Sequence, residues 1–394
     1  MGKKYGIKAI YKIFKSNGFL FGLLLMVMYT IMIPNHVYYK DIFSLIALFA
    51  LMGKCHDKTA YRLLFFSVSY SIIVFVTNGY GSYFELLSYL IVPTSFYLLG
   101  KYFTRNCQDN EDIIMTFAII AFFSSIALWK NNILDAKVNG VVNITRTIIV
   151  EGNEYGMSAT LQGLIASFCL SLAGYVVSLG KKQNTFSFLV VVSVFLSLFC
   201  VIHLVNRTGL VVVMAGILMA YSYMYRFNFK SIVYISISFI VFYIVISHIG
   251  LINNDLIEAY EERNLSAAGD IRTAGSRFEI WARAISKIPA YPFGWNSISQ
   301  GYSHNLWLDV ARRSGWIPLI SLCFITFTQI KRLKALYNRK NDIFISFFVS
   351  SISCLLLAFS VEPVIEAVSS AFAMLCLIWG MQNEYAIRIG VMTK

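Results

Sequence analysis

The chain has 394 residues, of which 58% are hydrophobic and only 13% charged, and its mean hydropathy is +0.66. A soluble domain carries roughly 25% charged residues, so a water-soluble globule is excluded, and with 6 Pro and no long polar tract no separate soluble domain is visible. The net charge of +13 does not mark nucleic-acid binding, because no basic stretch has the aromatic interleaving or motif of such a module.

A membrane-spanning helix needs about 17–25 mostly apolar residues. Twelve such stretches occur, centred on residues 18–33, 38–53, 61–77, 83–99, 112–129, 156–179, 185–205, 208–225, 229–250, 314–330, 343–361 and 364–381. They predict an all-α polytopic membrane protein, with residues 1–394 forming one membrane domain. Lys3, Lys4, Lys8, Lys12 and Lys15 precede the first stretch and no small-residue cleavage site follows it. This reads as a retained signal anchor that starts in the cytoplasm. Strict alternation then puts both termini inside, as in an inner-membrane protein. It leaves two extracytoplasmic segments long enough to build a site: a first loop at 130–155 and a large loop at 251–313. The seven cysteines avoid both loops and form no CxxC pair, so neither disulfides nor a thiolate metal site is expected.

Lysine and arginine behave differently under this topology. Fifteen of the 19 lysines fall on the cytoplasmic side, as the positive-inside rule requires. Only six of the 14 arginines do; Arg146, Arg207, Arg263, Arg272, Arg277, Arg283, Arg312 and Arg313 lie outside. Guanidinium is the preferred fork for phosphate and carboxylate, so an arginine-rich outer face points to an anionic ligand.

The large loop carries most of the chemistry. In GSRFEIWARAISKIP, Ser276 and Glu279 form a capping-box pair and Pro289 is a stop signal. Phe278, Trp281, Ile285 and Ile288 make an apolar stripe, predicting a short amphipathic helix on the outer membrane surface whose stripe packs on the bundle. YPFGWN follows as a turn, with Asn296 able to take a positive φ. In SHNLWLDVARRSGWIP, Ser303 is read as the cap of a helix ending near Gly315, which puts His304 in the first helical turn. There the helix dipole would keep the imidazole neutral and able to accept a proton. A neutral histidine among arginines suits removal of a proton from an attacking sugar hydroxyl while guanidinium groups hold a leaving pyrophosphate. Neither long loop has an Asp-x-Asp cluster, so no metal and no cofactor is expected. His36, His56, His203 and His248 read as structural. Trp295, Tyr302 and Trp307 are candidates for stacking on sugars or for membrane-interface anchoring.

The run His304-Asn305, nine residues, then Gly315 resembles the signature of the O-antigen ligase and O-antigen polymerase family, bacterial integral-membrane glycosyltransferases acting on undecaprenyl-diphosphate-linked glycans. Asn206-Arg207-Thr208-Gly209 resembles that family's Ser-Arg-small-residue motif, with Asn206 in place of Ser. Arg277 and Trp281, then Pro292 and Gly294, resemble the arginine helix and Pro-x-Gly turn before the histidine, although Asn296 stands where a second glycine is common. Arg146 and Asn153 fall where the family often carries Arg and Asn, and Glu362 resembles a late acidic residue. The resemblance implies a GT-C-like bundle with a periplasmic cavity roofed by the large loop. His304 would be the general base and Arg207, Arg277 and Arg146 the diphosphate ligands, with Arg283, Asn305 and Asn153 also contacting substrate. The implied partners are an undecaprenyl-diphosphate-linked oligosaccharide, membrane lipid, a chain-length regulator and a flippase.

Ten residues separate Arg283 from Gly294, a spacing resembling that of polymerase loops, so polymerase is favoured over transfer to the lipid A core by a ligase. A flippase or secondary transporter is the reading from another class. It needs midplane charges or broken helices, and Glu85 and Glu366 lie toward span ends instead.

Overall fold

The computed structural model describes residues 38–78, 83–107, 110–139, 148–150, 153–155, 159–179, 185–204, 206–225, 274–295, 303–339, 342–365 and 369–392. Ten of the twelve expected spans fall on helices: α1 (Tyr38–Cys55), α2 (Lys58–Asn78), α3 (Tyr83–Asn106), α4 (Asn110–Asn139), α5 (Ala159–Ser171) and α6 (Ala173–Leu179) as one broken span, α7 (Thr185–His203), α8 (Arg207–Tyr225), α11 (Trp316–Tyr337), α12 (Ile343–Phe359) and α13 (Ser369–Arg388). Between α8 and α11 the large loop contributes α9 (Ala274–Lys287) and α10 (Leu306–Ser314). The expected spans at 18–33 and 229–250 lie outside the described residues. Stretches 58–77, 116–134 and 208–225 are long and apolar enough to cross a membrane, and 162–176, 187–203 and 343–359 are shorter apolar stretches.

The helices present apolar residues outward as well as inward. Phe65, Ile72 and Phe75 on α2, Phe188, Val191 and Phe195 on α7, and Ile317, Ile320, Phe324 and Phe327 on α11 are all exposed. Recurring three, four or seven residues apart, they form greasy outer stripes where a soluble bundle would carry charge. Small polar residues line the inside. The Ser95 hydroxyl donates to the Ser44 carbonyl at 2.7 Å, joining α3 to α1. A Cβ on Gly100 would collide with the Leu377 carbonyl and one on Gly380 with the Tyr97 carbonyl, so α3 and α13 approach backbone to backbone.

The sixth span departs from a single helix. It breaks at Leu172, where Tyr175 N–H reaches the Leu172 carbonyl at 3.0 Å in a tighter turn. The Ser171 carbonyl next to the break accepts from the Ser350 hydroxyl of α12 at 2.6 Å. Gly174 and Gly216 leave room for that contact. The break is thus closed by the protein's own hydroxyl rather than left open for a ligand.

Helix contacts divide the bundle into two groups. One packs α1, α2 and α3 with α10, α11 and α13; the other packs α4 to α8 with α12. In the first loop, α4 runs on to Asn139, and β1 (Ile148–Val150) pairs antiparallel with β2 (Asn153–Tyr155), with Ile148 opposite Tyr155. Much of that segment is therefore regular structure rather than open loop.

The polar contacts near helix ends sort into two opposite ends. At the end where the lysines gather, Asp57 caps α2 through the N–H groups of Thr59 and Ala60, both at 2.9 Å. Its other oxygen accepts from Tyr97 and Lys101, each at 2.7 Å. Lys101 also lies 3.8 Å from Glu384, which receives a two-pronged contact from Arg105 at 2.7 and 3.0 Å. Burial pushes the Asp57 carboxyl up, but the Lys101 charge and the hydrogen bonds from Lys101, Tyr97 and Ala60 outweigh it and hold the group below its ordinary value.

Candidate functional site at the arginine end

At the opposite end the large loop folds back on the bundle through backbone contacts. Gly294 (φ +89°) and Gly315 (φ +71°) both adopt a conformation that suits glycine, and each lies where a Cβ would strike backbone, Arg312 for the first and Pro292 for the second. Trp295 N–H donates to the Arg312 carbonyl and Trp316 N–H to the Pro292 carbonyl, both at 2.9 Å. The Pro-x-Gly turn is thereby clamped face to face with the α10–α11 junction.

The helix bearing Arg277 differs in detail from expectation. It begins at Ala274, so Ser276 lies inside its first turn and does not cap it from outside. The apolar stripe splits: Ala284 is buried and Trp281 half-buried, while Phe278 and Ile285 are exposed. The stripe is wider than the contact the bundle offers, and its outer edge remains uncovered. Trp281 fixes the inner edge through Nε1, which donates to the Ser303 carbonyl at 2.8 Å. Arg277 lies one turn earlier on that edge, with its Nε buried and hydrogen-bonded to nothing among the described residues. Arg283 is exposed, its Nε 3.5 Å from the Glu279 carbonyl.

The turn carrying His304 corrects the expected cap. Asn305, not Ser303, caps α10: its Oδ1 accepts from Trp307 N–H at 3.1 Å and Leu308 N–H at 3.2 Å. Both residues have cap chemistry, but the backbone groups of Ser303 are taken elsewhere, its carbonyl by Trp281 and its N–H by Asp309. His304 consequently stands just before the cap and outside the first turn. The dipole effect falls off within that turn, so the argument for a neutral ring loses its basis. A different feature marks the residue: φ is +51°, the one positive value at a non-glycine residue among those described. For an L-residue that conformation costs about 1–2 kcal/mol, and it persists only where the surroundings over-determine it. The ring turns Nδ1 into the protein while the residue as a whole is half-buried.

The Nδ2 of Asn305 donates to the Ser360 carbonyl at 2.9 Å. Two residues on, buried Glu362 accepts from the Thr208 hydroxyl at 2.9 Å. Asn206 caps α8, its Oδ1 receiving Gly209 N–H at 3.3 Å, a task serine performs equally well. The segment after α12 therefore ties together the start of α8 and the His304 turn, which belong to the two different helix groups. Arg207 is the first residue of α8. Asn153 lies in β2. Arg146, Arg263, Arg272, Asn296 and Tyr302 lie outside the described residues.

Other candidates resolve as structural. Trp307 packs half-buried against the core, with Nε1 3.4 Å from the Thr326 hydroxyl. His56 Nδ1 lies 2.9 Å from the Met52 carbonyl. Among the described residues no three His, Cys, Asp or Glu side chains come together to hold a metal ion. The residues that sequence reasoning missed are Asp309, buried beneath the turn, and Ser360, which meets Asn305 through its carbonyl.

These features define a helical bundle with stretches long and apolar enough to cross a membrane and a histidine-bearing turn at the seam of its two halves. Among models of known protein families none matches the chain, and no curated protein matches it.

Proposed function

We propose that the chain is a membrane-embedded glycosyltransferase, an O-antigen-type polymerase that joins undecaprenyl-diphosphate-linked repeat units on the periplasmic side of the inner membrane. All twelve spans, a GT-C-like arrangement and cytoplasmic termini belong to the same proposal. One observation carries it. Three motifs far apart in sequence, around Thr208, Trp281 and His304, are held together by Ser303, Ser360 and Glu362 at the end of the bundle where the arginines gather.

In the proposed reaction an acceptor sugar hydroxyl attacks the anomeric carbon of the donor. The bond from that carbon to the diphosphate oxygen breaks, and the hydroxyl proton passes to His304. With Nδ1 turned inward, Nε2 is the nitrogen assigned to receive it. The departing diphosphate carries the negative charge, and Arg277, Arg207 and Arg146 are the groups assigned to hold it.

Deleting the gene and separating the surface glycolipid on a gel tests this reading. The expected product is core bearing a single repeat unit, with the ladder restored by wild type and not by His304→Ala. Bare core with accumulating lipid-linked polymer would identify the ligase instead, and loss of all periplasmic glycan a flippase.

A further inference from the structure

We infer that Asp309 is a positioning residue for His304, an assignment that rests on the reading of His304 as the proton acceptor. Asp309 is 1% exposed. One carboxylate oxygen accepts from Ser303 N–H at 2.6 Å and the other from Asn305 N–H at 3.3 Å. Those are the amides on either side of His304. Arg312 Nε lies 3.7 Å from the first oxygen, so the carboxylate is also charge-paired from below.

The job is distinct from helix capping. Asn305 already serves the N–H groups of Trp307 and Leu308, and both Asp309 bonds go to amides upstream of the helix. A carboxylate is acceptor-only and has two oxygens, so it can take both amides at once. Charge-assisted bonds to backbone N–H groups are the strong kind. With Trp281 gripping the Ser303 carbonyl at 2.8 Å, Ser303, the residue before His304, is held on both its backbone polar groups. The left-handed φ of His304 follows from these fixed points. Asp309 thus sets where the imidazole stands without touching substrate.

The test uses full-length protein in lipid nanodiscs. Diethyl pyrocarbonate modification of His304, measured by mass spectrometry against His56 at the other end as internal reference, reads ring placement directly. Asp309→Asn keeps the shape but loses the charge and one acceptor. It is expected to change the His304-to-His56 rate ratio severalfold and to lower polymer synthesis about a hundredfold, as displacement of a catalytic group does. Asp309→Glu, which keeps both oxygens, is expected to recover part of each. A wild-type rate ratio in Asp309→Asn overturns the inference. A shifted ratio with an intact ladder in both Asp309→Asn and His304→Ala supports the positioning and overturns the base assignment. If Asp309→Asn does not accumulate, hydrogen exchange on the wild-type protein decides. Ser303 and Asn305 amides as protected as those within α10 support the clamp, and exchange at the rate of open chain refutes it.

Discussion

The two ends of the bundle use positive charge in opposite ways. At the lysine end the cations are neutralised inside the protein: Lys101 sits between Asp57 and Glu384, and Arg105 grips Glu384 with two nitrogens. Asp342 caps α12 and accepts from Tyr385. At the arginine end Arg312 lies 3.7 Å from Asp309, and Arg277 keeps a buried Nε with no hydrogen bond among the described residues. A buried polar nitrogen without a hydrogen bond is costly. The lysine end is therefore closed on itself, and under the proposed function the arginine end is where a diphosphate would be held.

Mutating across that divide should separate the two roles. The largest expected effect is Arg277→Met. Loss of one charge-stabilising donor costs about 10²–10³ in rate in comparable sites, so the polysaccharide ladder should vanish. Thermal unfolding in detergent should stay within about 0.5 kcal/mol of wild type, because no hydrogen bond of Arg277 Nε among the described residues is lost. An Arg277→Met protein that unfolds readily would place Arg277 among the structural cations. Asp57→Ala should do the reverse. It leaves Lys101, whose side chain is 3% exposed, facing only Glu384 at 3.8 Å. Stranding one partner of a buried pair costs about 3–5 kcal/mol, so the melting temperature should fall while polymer formed per folded molecule is retained.

Acid should expose the same contrast with a smaller effect. The Asp57 carboxyl is held below its ordinary value in the folded protein. As pH falls, the unfolded chain takes up the proton first. The contribution is therefore complete above about pH 4 and is lost as pH drops through the lower folded value. Melting temperature followed between neutral pH and pH 3 should fall less steeply in Asp57→Asn than in wild type. Identical slopes would mean that Asp57 is not part of the acid response.

What could be read from sequence follows from range. The helix positions within the described residues, the Pro292–Gly294 turn and the stop at Gly315 are local features, carried by hydropathy and by backbone conformations that glycine suits, and they appear where expected. The cap of α10 was ambiguous because Ser303 and Asn305 both have cap chemistry. The choice was decided by Trp281, 22 positions away, taking the Ser303 carbonyl. Asp309 escaped notice because it returns to the cap residue from the fourth helical position, whereas the capping box uses the third. The Leu172 break depends on a hydroxyl 179 positions from the carbonyl it satisfies, and no local pattern announces it. The Asp57–Lys101–Glu384 network likewise joins three segments that only tertiary packing brings together.

The smallest expected effect concerns Arg283, which the spacing to Gly294 had marked as a polymerase feature. Its side chain is exposed on the outer side of α9, away from the edge that Trp281 anchors to the Ser303 carbonyl. Arg277 shares that anchored edge; Arg283 does not. Its Nε contact with the Glu279 carbonyl is at the 3.5 Å limit of hydrogen bonding, where little stability is gained. Arg283→Ala should therefore leave the melting temperature unchanged and shorten the ladder's modal length at most, with total polymer within about tenfold of wild type, the effect of one contact worth about 1.4 kcal/mol. Loss of polymer as complete as that expected for Arg277→Met would mean that the exposed face of α9, and not the edge tied to the His304 turn, meets the glycan. The arginine end would then bind its ligand from outside the seam.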